Sequence, residues 1–95
     1  GPEFRAAVEA AWLPRIEAFR PQLIMISAGF DGHAEDDMSH FTLREPDYAW
    51  ITRKLHEAAR RHAGERIVAC LEGGYELSSL GRSVSTHIDE LIGHT

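Results

Sequence analysis

A chain of 95 residues has room for one compact unit and excludes a second domain. Its 43% apolar and 26% charged content is that of a folding polypeptide, not of a disordered tail. A formal charge of −5 opposes binding to phosphate backbones, and no apolar run approaches the roughly 20 residues of a membrane span; a cytoplasmic protein with neither nucleic acid nor membrane as partner is the expectation.

The first predicted element runs from Glu3 to Phe19, where Phe4, Val8, Trp12, Ile16 and Phe19 recur at helical spacing. Pro14 lacks an amide hydrogen and clashes with the preceding turn, so a kink or break is expected around Trp12 and Leu13. Leu23 to Ile26 then reads as a β-strand whose continuous apolar run suits coverage on both faces. It ends at Ser27-Ala28-Gly29 and opens into a polar loop, Asp31 to His40.

A second helix is predicted to begin near Pro46, with Thr42 and Glu45 spaced as a capping box. Tyr48, Ile51, Leu55 and Ala59 share one face, Tyr48 and Trp50 are read as packing residues, and Gly64 is a natural stop. Arg66 to Leu71 reads as a second buried strand, with Cys70 inside it as a small core residue. A last helix follows from about Ser79, with Leu80, Val84, Ile88 and Leu91 turned inward and Gly93 beyond its end. Strands separated by a helix pair in parallel, so the fold class is α/β. Two strands make a narrow sheet, and the unit is expected to complete a larger domain.

In such a sheet, ligands gather at the carboxyl ends of the strands. Gly29 and Gly32 flank Asp31 after the first strand; Gly73 and Gly74 precede Tyr75 after the second. On residue chemistry alone Asp31 is a turn former, a base or a metal ligand. Asp31 and His33 together are too few for a zinc site, and Glu35, Asp36 and Asp37 read as a solvated loop surface. His40, His56, His62, His87 and His94 read as surface or packing residues. A nucleotide-binding module is the weakest reading, because no G-x-G-x-x-G or phosphate-loop pattern follows either strand.

Taken together, Ser27-Ala28-Gly29-Phe30-Asp31, Leu71-Glu72-Gly73-Gly74-Tyr75, Asp36-Asp37-Met38 and the Asp47 to Thr52 segment resemble the zinc-dependent histone deacetylase family. The likeness, greatest to its bacterial histone deacetylase-like amidohydrolases and acetylpolyamine amidohydrolases, runs from about Phe4 to Gly93. It implies the C-terminal part of an arginase-like three-layer α/β/α fold with parallel strands, residues 1–95 being a single α/β unit of a larger deacetylase domain. It also implies that Asp31 is one zinc ligand, that Tyr75 polarises the substrate carbonyl, that Gly73 and Gly74 line the acetyl pocket, and that Met38 stands at the tunnel rim. His33 matches a position that does not bind zinc. The family's other two ligands and its pair of acid-base histidines lie upstream of the matched region, so the zinc site here is incomplete. The expected activity is hydrolysis of acetyl-lysine or acetylpolyamine amides by the parent protein, with the isolated chain inactive. The alternative is a non-catalytic, self-associating α/β module.

Overall fold

The computed structural model describes residues 1–38 and 41–93, with helices and strands in the expected order. Helix α1 (Pro2–Ala7) passes without a break through a π-helical segment (Val8–Trp12) into α2 (Leu13–Phe19). The disturbance foreseen at Trp12 and Leu13 is therefore a widened turn. The Leu13 N–H reaches back five residues to the Val8 carbonyl, which makes room for the Pro14 ring where an α-helical bond is impossible. Phe4 packs edge-on against Trp50, and the Arg5 guanidinium lies 5.5 Å from the Trp50 ring centre, docking α1 on the central helix.

Strands β1 (Ile24–Ala28) and β2 (Ile67–Leu71) pair in parallel, in a register that sets Ile24 beside Ile67 and Ala28 beside Leu71. Helix α3 (Glu45–His62) makes the crossover. Its start is not the Thr42–Glu45 box: the Arg44 N–H donates to the Asp47 carboxylate at 3.1 Å, and Asp47 also receives Arg5. Glu45 is drawn off to His33 and Arg82. Gly64 takes the left-handed conformation at φ 58°, and the following Glu65 N–H closes onto the Ala59 carbonyl, ending the helix.

Helix α4 (Leu77–Ile92) begins earlier than Ser79 because Glu76 caps it, accepting from the Ser78 and Ser79 amides. Its buried face is Ser79, Ser83 and His87, four residues apart, where small side chains let α4 lie close to α3. Thr52 and the His87 Nδ1 atom hydrogen-bond across that seam at 2.8 Å. Leu80 and Val84 pack at the edge of a core made by Ala28, Phe30 and Tyr48. Ile88, expected inside, is 47% exposed. The apolar stripe of α4 thus lies beside the helix seam, not in it.

The sheet is covered on one face by this chain. Ile24, Ile26, Ala28, Ile67 and Ala69 are at least partly buried, whereas Met25, Val68 and Cys70 on the opposite face are exposed. Cys70 is accordingly not a core residue: the strand alternates, and position 70 falls on the uncovered side. No helix among the described residues is long and apolar enough to cross a membrane.

Candidate active site

Two hydrogen bonds carry the pairing of β1 and β2 past the strand ends. The Glu72 N–H donates to the Ala28 carbonyl at 2.9 Å, and the Phe30 N–H donates to the Gly73 carbonyl at 2.8 Å. Phe30 is buried against the rings of Tyr48 and His87, with centroids 5.0 and 5.8 Å away. With Phe30 turned inward, the next side chain, Asp31, is left at the sheet's edge.

There the Asp31 carboxylate lies against the glycine of the neighbouring strand end. A Cβ on Gly73 would stand 2.8 Å from Asp31 Oδ1 and 3.0 Å from its Cγ, so only glycine fits unless the carboxylate moves. Gly74 has φ 140°, and a Cβ there would meet Leu80 Cδ1 at 2.6 Å. These two glycines bring the backbone up to Asp31 and then turn it to present Tyr75, a residue that is 59% exposed. Met38 is also exposed on the adjoining loop. The structure therefore gathers Asp31, Gly73 and Gly74 at one edge, with Tyr75 the next residue along.

Residues 31–38 of the polar loop carry more internal contacts than their composition suggests. His33 is fully buried: its Nε2 donates to the Glu45 carboxylate and its Nδ1 accepts from the Glu35 N–H at 3.0 Å, the pattern of a neutral Nε2–H tautomer. Both ring nitrogens are occupied, which leaves neither for a metal. Arg82 of α4 joins this group by pairing with Glu35 and Glu45.

Asp36, expected on a solvated surface, is only 3% exposed. Its Oδ1 accepts from the Met38 N–H at 2.9 Å; its Oδ2 accepts from the Tyr75 N–H at 2.6 Å and the Glu76 N–H at 3.0 Å. The Tyr75 amide, foremost, holds the Asp36 carboxyl below the usual carboxylate range. The spacing of Asp36 to Met38 is that of an Asx-turn, a local signal. Nothing local announces the bonds to Tyr75 and Glu76.

The remaining histidines are placed as surface or packing groups. His56 faces Glu65, His62 faces Glu17, and burial lowers the pKa of His87. His40 and His94 lie outside the described residues. Burial, then the charge of Asp31, raises the Tyr48 phenol to about 12.

Among the described residues no group of three or more His, Cys, Asp or Glu side chains is placed to hold a metal ion. The Asp31 carboxylate makes no hydrogen bond or ion pair with them. Asp31 is thus a half-buried carboxylate whose oxygens are unclaimed among the described residues.

The model of the histone deacetylase domain matches residues 1–91. The chain is 44% identical over 86 residues to the type-2 histone deacetylase 2 of Dictyostelium discoideum, covering 87% of this chain and 5% of that protein. It is 37% identical over 90 residues to the histone deacetylase-like amidohydrolase of Pseudomonas aeruginosa, covering 95% of this chain and 24% of the relative. The solved HDA15 HD domain superimposes with a TM-score of 0.86 at 31% identity, over 95% of this chain and 24% of that one. The chain thus spans a quarter or less of the length of these relatives, and its parallel α/β unit is a portion of their fold. By sequence and by fold, the chain belongs to the histone deacetylase family.

Proposed function

We propose that this chain supplies part of the active site of a zinc-dependent deacetylase that hydrolyses acetyl-amide bonds, in acetyl-lysine or an acetylated polyamine. One observation carries the reading: the Asp31 carboxylate, without a hydrogen bond or ion pair among the described residues, is seated against Gly73 where two parallel strands end, two residues before an exposed tyrosine. Asp31 would provide one ligand to zinc, and the other ligands and the acid-base histidines would come from the rest of the parent protein. Bound zinc acidifies a water molecule and polarises the amide oxygen.

The chain's own residues then have distinct tasks. The Tyr75 phenol donates a hydrogen bond to the substrate carbonyl oxygen as it gains charge. Gly73 and Gly74 leave room for an acetyl methyl, and Met38 borders the entrance. With one ligand and no histidine pair, the isolated chain neither holds zinc tightly nor turns over substrate.

The test is hydrolysis of an acetyl-lysine peptide and an acetylated polyamine by the parent protein, with and without a chelator. Activity that the chelator abolishes is expected. Tyr75→Phe should lower kcat about 100- to 1000-fold, the usual loss of one oxyanion donor. A metal-loaded parent inert toward both substrates, or a Tyr75→Phe variant at full rate, would refute the proposal. Robust hydrolysis by the 95-residue chain alone would refute its inactivity.

A second reading has its own observation. The uncovered sheet face with Met25 and Val68 suits a non-catalytic module that associates with copies of itself.

A further inference from the structure

We infer that Asp36 is a positioning residue for this reaction: its carboxylate ties the backbone of Tyr75 and Glu76 to the loop carrying Asp31 and Met38, and so fixes the phenol relative to Asp31. The inference rests on the deacetylase reading and deepens it.

Three features lead to it. First, among the described residues the Tyr75 phenol makes no hydrogen bond, so its place is set by its backbone. Second, on its amino side that backbone consists of Gly73 and Gly74, with Gly74 at φ 140°, so no side chain there fixes its direction. Third, Asp36 is buried, and one of its oxygens accepts both the Tyr75 and Glu76 amides. These bonds are not the cap of α4, because Glu76 itself caps the helix through Ser78 and Ser79. A charged acceptor on two consecutive amides just ahead of the helix anchors Tyr75 between the glycine pair and α4. The other oxygen holds Met38, so the rim residue and the phenol are referred to one carboxylate.

The test uses the metal-loaded parent protein. Asp36→Asn keeps the volume but weakens the acceptor; kcat should fall about 10- to 100-fold, the scale of a misplaced catalytic group, while KM and metal content stay nearly unchanged. In a Tyr75→Phe background the same change should cost little more, since the group being positioned is already gone. Independently of any variant, hydrogen exchange in the unmodified protein should show the Tyr75 and Glu76 amides protected despite the exposure of the tyrosine. Full multiplicativity of the two substitutions, an unaltered kcat in Asp36→Asn, or unprotected amides would overturn the inference. A parent without deacetylase activity would overturn the functional reading alone, because amide exchange needs no turnover and still tests the anchor.

Discussion

Gly73 brings one strand end against the other, and the first obstacle a methyl group would meet there is the Asp31 carboxylate. That obstacle is a side chain with its own rotation, so Gly73→Ala should fold and melt much as the unmodified protein does. The carboxylate, though, must swing away from its position. Metal affinity of the parent protein should drop roughly 10- to 100-fold, the range seen when a ligand loses its orientation, as measured by chelator competition. Unchanged affinity would show that Asp31 does not bind the metal. The placement of Asp31 and Tyr75 just past the two strand ends was legible in the sequence, because each follows a short apolar run through glycine. Asp36 and His33 were not legible as interior groups. Asp36 serves amides 39 and 40 residues away, and His33 is buried by pairing with Glu45 at the start of another helix. Nothing periodic in the chain marks contacts of that kind.

At the scale of elements, strands and helices were readable from apolar runs and breakers, and even the disturbance at Pro14 fell where the ring demands it. The inward face of α4 was misread for a physical reason: burial there follows small size and a Thr52–His87 hydrogen bond, not hydrophobicity. The capping of the same helix yields a pH prediction. Hydrogen bonds from the Ser79 amide first, then its hydroxyl, hold the Glu76 carboxyl below its ordinary 4.5. A carboxyl depressed by folding stabilises the protein above its unfolded value, and that stability is lost as pH falls through the folded value. Acid titration of the urea midpoint should therefore decline below about pH 4.5, and Glu76→Gln should lack that component of the decline. Identical acid limbs in the two proteins would show that the ionised cap contributes nothing.

For the whole molecule, the decisive fact is a parallel sheet of two strands with one covered face. Met25 at 72% exposure and Val68 at 46% stand on the other side, with Leu71 and Phe19 also exposed, and an apolar surface of this kind gains free energy by being covered. In a longer relative the remaining three quarters or more of the chain is available for that task. In the isolated chain only another copy is. Light scattering should therefore give the isolated chain a mass of at least twice its 10.6 kDa, rising with concentration. Met25→Lys with Val68→Lys places two like charges on that face, whose desolvation opposes contact, and should return the mass toward the monomer. The choice of face is what the pair of variants tests. If the mass stays high after both substitutions, association runs through the open strand edges, where unpaired backbone groups can recruit a neighbouring strand. A unit that stays monomeric at all concentrations before any substitution would remove the self-associating reading and leave the uncovered face as the seat of the parent's own missing layer.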